Sequence, residues 1–286
     1  LDSNEIDSKI KFYTSYQTPK VKLEDLLLPT EIKQRFKKLT HKKAAIRNDF
    51  IFYFQGDYGV GKQATAEAIC NQLNIGLLVV DGEHLLKFEP REFQTAINLI
   101  YREALLQEAA VYWKDFDYLI EDEKRPWLQL FLHQWLEDKY HPLTFLAGNE
   151  AWEPADALKN VSFLRVEFSY PNTAERVQLW TRSLNGKKPP TSETELKQLA
   201  SKFRFSAGQI EDTIATARNL AQWREPEVEN LTIADLYAAC RLQSNRKLSK
   251  LATKINPHYK WSDIILPPEQ LQILREICNT VKYRAL

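Results

Sequence analysis

The chain has 286 residues, a formal net charge of +1, 44% hydrophobic residues and 27% charged residues. That length accommodates one large domain or two modest ones with ample core, and the composition is that of an ordinary globular protein. The near-neutral charge gives no global electrostatic case for nucleic acid or a membrane surface, and no apolar run approaches the roughly 20 residues of a bilayer span. A cytoplasmic protein is expected. Residues 1–5 do not read as a signal peptide, and the missing initiator Met suggests an excised fragment. Cys70, Cys240 and Cys278 stand apart without metal-ligand spacing and read as buried thiols. The five histidines show no pairing that suggests a metal site.

Taken in chain order, a basic stretch comes first: Lys33, Arg35, Lys37, Lys38, Lys42, Lys43 and Arg47. It reads as a solvated helix face in preference to a nucleic-acid surface. Residues 48–55, aromatic and β-branched, predict a buried parallel strand. Residues 56–62 then read Gly-Asp-Tyr-Gly-Val-Gly-Lys, the GxxxxGK spacing of a phosphate-binding loop. Residues 63–73 are Ala-rich and predict a helix with Ala66, Ile69, Cys70 and Leu73 on one face. Strand, glycine loop and helix together form a polyphosphate cradle. The glycines let the backbone curl, and the helix start aims its free N–H groups and positive dipole end at the phosphates. Gly56, Asp57, Tyr58, Gly59, Val60, Gly61, Lys62, Gln63 and Ala64 are therefore the expected nucleotide-binding residues, with Lys62 reaching the β- and γ-phosphates. ATP or ADP is the expected ligand. Magnesium is left open, because the Ser or Thr that usually follows the lysine is Gln63, which offers only an amide carbonyl.

Further strands are predicted at 76–81, 109–113, 143–148 and 161–168, with a helix at 92–108 whose inward residues are Phe93, Ile97, Ile100, Ala104 and Leu105. Strands alternating with helices predict a parallel sheet covered on both faces. Beyond residue 171 the strands stop. Residues 173–184, 193–203, 207–224 and 232–242 read as four helices, broken at 186–190 by Gly-Lys-Lys-Pro-Pro.

Two distant segments echo each other. Residues 21–31 and 259–269 both carry Asp, three aliphatics, Pro, any residue and Glu, followed by a helical pattern. So long an offset suggests tandem domains and not a solenoid, whose periods are roughly 20–50 residues. The expected organisation is a linker over 1–20, an α/β domain over 21–170, a helical domain over 171–245, and a linker with the first helix of a following module over 246–286.

On these residues the chain resembles an AAA-family ATPase module, from about residue 21 onward. The phosphate loop matches at Gly56, Gly61 and Lys62, and Gly148-Asn149 falls where that family places a polar sensor at a strand end. Residues 168–172 with Arg176 resemble the passage into the helical lid, and Gly208-Gln209-Ile210 the start of a second sensor helix. The echo at 261–269 resembles the start of a second module, as in bacterial tandem members whose first module has decayed. The resemblance implies an α/β fold: a parallel-sheet P-loop NTPase (AAA) domain with helices on both faces plus a small C-terminal helical lid domain.

The departures bear on activity. After the third predicted strand, Lys114 stands for the expected metal-organising Asp and Asp115 for the water-activating Glu. A shift of one makes Asp115 the metal Asp and puts Phe116 at the base. The second-sensor arginine is Glu211, and residues 156–160, where an arginine finger is expected, contain no arginine. Phosphoryl transfer rests on placed charges, and a finger alone is worth roughly 10³–10⁵ in rate. The implied function is a degenerate module that binds ATP or ADP with little or no hydrolysis and supports ring assembly, as a homo-hexamer, of a tandem protein-remodelling ATPase. The alternative is an active ATPase with Asp115 as base and Asn149 as sensor, driving remodelling of a protein partner. Residues 84–88 fall roughly where a pore loop would lie.

Overall fold

The computed structural model describes residues 6–41, 50–137, 141–154, 161–184, 192–224, 231–248 and 261–283. The chain divides into two compact units, residues 1–170 and 171–286.

The first unit is built on one sheet of six strands: β1 (Thr14–Gln17), β2 (Phe50–Gln55), β3 (Gly76–Asp81), β4 (Ala109–Lys114), β5 (Thr144–Gly148) and β6 (Ser162–Glu167). Their order is β1-β3-β4-β5-β2-β6. Every pairing is parallel except that of β1 with β3. The helices are α1 (Thr30–His41), α2 (Lys62–Leu73), α3 (Gly82–Leu85), α4 (Pro90–Leu106), α5 (Asp117–Ile120) and α6 (Arg125–Glu137).

Side chains alternate along a strand, so a sheet covered on both faces sends successive residues into two cores. Ile51 and Tyr53 of β2 join one core with α4 and α6, whereas Phe52 and Phe54 join the other with α1 and α2. In the same way Leu78, Val80, Val111 and Trp113 face the first core, and Leu77, Val79, Ala110 and Tyr112 the second. This double burial is why β2, β3, β4 and β5 are nearly continuous apolar runs.

Several elements differ from expectation. Residues 1–20 are not merely a linker, because β1 pairs Thr14 with Val80 through Gln17 with Leu77. Its sequence, Thr-Ser-Tyr-Gln, has no apolar run, and the strand exists through that edge pairing. The helix expected at 92–108 runs from Pro90 to Leu106, with proline in its first turn, where its missing N–H costs nothing. Phe93, Ile97, Ile100 and Ala104 are buried, but Leu105 is 46% exposed; one residue past Ala104, it is turned about 100° off the inward stripe. Helix α6 was not anticipated, yet its Phe131 and Trp135, four residues apart, fill the core. The expected first strand's residues 48–49, and Lys42, Lys43 and Arg47 of the basic stretch, lie outside the described residues.

The second unit consists of α7 (Thr173–Leu184), α8 (Glu193–Lys202), α9 (Ala207–Arg224), α10 (Ile233–Leu248) and α11 (Pro268–Tyr283). Trp180, Leu184, Leu196, Leu199, Ile210, Ile214 and Leu236 form the core of its first four helices. Reciprocal caps fix the helix starts: Ser192 with Glu195 at α8, and Ser206 with Gln209 before α9. Arg176, buried, donates to the carbonyls of Ala200 at 2.8 Å and Pro171 at 2.6 Å. The Gly-Lys-Lys-Pro-Pro break and residues 156–160 lie outside the described residues. Cys70 and Cys240 are buried, and burial pushes the Cys240 thiol up to about 12, but Cys278 is exposed. The expectation of three buried thiols fails at Cys278 because α11 presents it to solvent. Among the described residues no helix is long and apolar enough to cross a membrane.

Candidate functional site

Residues 56–64 join the carboxyl end of β2 to α2, at the edge of the sheet where open α/β folds place their ligands. The loop is tied to its neighbours by backbone bonds: Gly56 N–H donates to Gly148 O at 2.9 Å, and Phe168 N–H donates to Gln55 O at 2.7 Å. Gly56 admits no side chain there, since a Cβ would lie 2.6 Å from the Phe168 carbonyl oxygen. Gly61 has φ +99°, left-handed backbone that glycine alone adopts freely, and it opens α2 without any side-chain cap. The first-turn amides of α2 thus have no side-chain acceptor at their cap, which is the arrangement that binds anions.

Lys62, partly buried, donates from Nζ to the carbonyls of Gly56, Asp57 (3.2 Å) and Gly148 (3.4 Å). Desolvation lowers its pKa, opposed by the charges of Asp117, Asp115 and Asp57. Asp57 accepts from the Tyr170 hydroxyl at 2.6 Å, which ties the loop to the chain after β6. Gln63 Nε2 donates to Gln17 Oε1 at 3.3 Å, so its carboxamide is turned toward the end of β1. The chain after β1 then follows α2, with the Lys20 and Val21 amides on the Glu67 carboxylate and the Asn71 amide on the Val21 carbonyl.

Asp115 follows β4 with φ +51°, a left-handed position that Asp tolerates better than most residues. Desolvation raises its pKa, and Asp81 and Asp117 add to the rise while Lys114 and Lys62 oppose it. Lys114 stands opposite Asp81 in the β3–β4 register. Desolvation would raise Asp81, but His84's hydrogen bonds and the charges of His84 and Lys114 leave it lowered. Asp117, at the start of α5, accepts the backbone N–H of Asn149 at 2.6 Å and of Glu150 at 3.0 Å. Tyr53 OH closes the same turn by donating to Glu150 O at 2.6 Å.

The candidate residues Lys62, Asp115 and Asn149 therefore meet at one edge of the sheet. Asp117, expected as a helix-capping or solvated acid, does open α5, but neither it nor Tyr53, Tyr170 or Gln17 is a candidate site residue in the sequence, because each is joined to the site by tertiary contact alone. Glu211 is exposed on α9. Residues 84–88 do not form a free loop: Leu85 is buried, Phe88 packs edge-on to Tyr13 at 5.6 Å, and its carbonyl accepts from Trp127. Among the described residues no group of three or more His, Cys, Asp or Glu side chains is placed to hold a metal ion.

The sheet with its glycine loop and the helical unit that follows it have the fold of solved AAA domains. The FIGL-1 AAA domain solved in complex with ADP superimposes with TM-score 0.62 at 15% identity, covering 96% of each chain. A chain from a structure on katanin self-assembly gives TM-score 0.62 at 16% identity, covering 97% of this chain and 99% of that one. Residues 172–246 match the family model of the contractile injection system ATPase helical domain. No curated protein matches the chain in sequence.

Proposed function

We propose that the chain is a degenerate AAA ATPase module that binds ATP or ADP at residues 56–64, hydrolyses little or none of it, and supports ring assembly of a tandem protein-remodelling ATPase. The observation that carries the binding half is the uncapped start of α2, opened by Gly61, with the Lys62 ammonium beside it. The ADP bound to the FIGL-1 domain supports the same choice of ligand. For weak turnover, the support is that Asp117 already accepts two backbone amides and that Lys114 stands where an acid is expected. Katanin self-assembly supports a ring, read here as a homo-hexamer in the cytoplasm. The match of the helical unit points to a contractile injection system as the setting.

The tandem reading draws on a structural repeat. A 3-10 turn at Leu23–Asp25 and α1 from Thr30 recur as a 3-10 turn at Trp261–Asp263 and α11 from Pro268, each start displaced by the same interval (261 − 23 and 268 − 30, both 238). This repeat supports reading residues 246–286 as a linker and the first helix of a following module, with α10 running on to Leu248 before it.

Calorimetric titration with ADP and ATP at neutral pH tests the binding half. Saturable heat is expected with both, together with a rise in melting temperature worth about 2.7 kcal/mol at a hundredfold excess over Kd. No heat and no shift would end the reading. A second reading, an active ATPase, is favoured by one observation: Asp115, with its raised pKa, lies within electrostatic reach of Lys62. Phosphate release by this chain, abolished in Lys62→Ala, would establish it against the first.

A further inference from the structure

We infer that this site takes its nucleoside diphosphate without a divalent cation, an inference that rests on the nucleotide reading above. A magnesium ion beside a bound nucleotide asks for near-octahedral oxygen ligands, usually one or two carboxylates besides the phosphate oxygens and water. The side-chain oxygens of Asp57, Asp81 and Asp117 already have partners within the protein, and the Gln63 carboxamide is turned away. Gln63, in the position that would offer a hydroxyl, turns its carboxamide to Gln17 at 3.3 Å. Both oxygens of Asp117 accept backbone N–H groups, at 2.6 and 3.0 Å. Asp81 pairs with His84 Nδ1 at 3.1 Å and faces Lys114 across the ladder. Asp57 accepts from Tyr170. Of the acids that act on Lys62, that leaves Asp115, whose surroundings disfavour its charged form and which feels the charges of Lys114 and Lys62. The residues present do not fit the ion.

Positive charge is supplied in other ways. Lys62 sits within the loop, Lys114 ends β4, one strand removed from β2 across β5, and both act on Asp115. The α2 start adds its dipole and free amides. Two ammonium groups and a helix end can counter the charge of a diphosphate that elsewhere is shared with a metal.

The test is titration of ADP into this chain in buffer with magnesium and in buffer with EDTA, followed by the same pair on the folded double variant Gln63→Thr/Lys114→Asp. Dissociation constants within about threefold of each other in the two buffers are expected for the natural sequence, under about 0.7 kcal/mol by the tenfold-per-1.4 rule. A larger gain from magnesium overturns the inference but leaves the nucleotide reading standing. Absence of heat in both buffers overturns the nucleotide reading itself, and this inference with it. The double variant restores a hydroxyl and an acid, and is expected to bind about tenfold tighter with magnesium than with EDTA. If it melts like the parent and binds equally in both buffers, the assignment to Gln63 and Lys114 is wrong.

Discussion

The carboxylate of Asp117 accepts the backbone N–H of Asn149 at 2.6 Å, linking the turn after β4 to the turn after β5. Glu150 N–H, at 3.0 Å on the other oxygen, completes a two-pronged clamp. Asn149 is thus positioned through its main chain by a residue 32 positions away. Asp117→Ala removes the clamp and leaves two amides to water. Because the turn is open to solvent, the expected loss is about 1–2 kcal/mol, toward the lower end of hydrogen bonds to charged groups. Urea denaturation of the variant measures it, and a stability equal to the parent's would show that the turn is held by other contacts.

Two glycines of the phosphate loop should respond differently to alanine. A Cβ on Gly56 would meet the Phe168 carbonyl oxygen at 2.6 Å, so backbone must move. A Cβ on Gly61 meets nothing within 4 Å, and only its φ of +99° is strained. Gly61→Ala is expected to cost about 1–2 kcal/mol, the left-handed penalty alone. Gly56→Ala should cost more, about 3 kcal/mol, and should also weaken ADP binding, since the Gly56 carbonyl that receives Lys62 shifts with it. Thermal melts and ADP titrations of the two variants rank them.

Asp115 gives a pH test with a definite sign. Its carboxyl is raised by desolvation, so the folded state binds its proton more readily than the unfolded state. The ionised form therefore costs stability at neutral pH, and the cost fades as pH falls through the raised value and then the ordinary one of about 3.9. Asp115→Asn keeps a residue that tolerates φ +51°. The variant should melt higher than the parent at pH 7 by less than about 1 kcal/mol, the group being open to solvent. The two should converge near pH 3. A variant less stable at neutral pH would mean that the Lys62 and Lys114 charges outweigh desolvation.

How much of this was legible follows from where each signal resides. The parallel strands were readable because the inner residues of Phe50–Gln55 and the whole of Thr144–Gly148 are buried, so both runs are apolar apart from Gln55 and Thr144 at their ends. The phosphate loop was readable because glycine spacing is a local backbone requirement, met at Gly56 and Gly61. The edge strand β1 was not, since its four residues gain their conformation from β3. The same holds for the partners of the site residues: Gln17 reaches Gln63 across 46 positions, and Tyr170 reaches Asp57 across 113. Gln63 itself was visible as a departure, but where its side chain turns depends on a segment read as a linker.

The repeat at the two ends of the chain predicts an asymmetry in mutational cost. In the first copy Leu23 is fully buried and Phe36 is 2% exposed, packed on Phe52 and Phe54 of β2. Their counterparts at the 238-residue interval, Trp261 and Leu274, are 43% and 37% exposed. The same local structure is therefore buried in one setting and open in the other. Phe36→Ala should cost about 3–5 kcal/mol, the usual range for a core phenylalanine. Leu274→Ala in this chain should cost less than about 1 kcal/mol, because little water-free contact is lost. In a longer protein where an α/β domain follows residue 286, the second cost should rise to about 2–5 kcal/mol as Leu274 takes the role of Phe36. Denaturant titrations of both variants, with and without the following sequence, measure the change. Equal cost for Leu274→Ala in the two lengths would remove the tandem reading of α11.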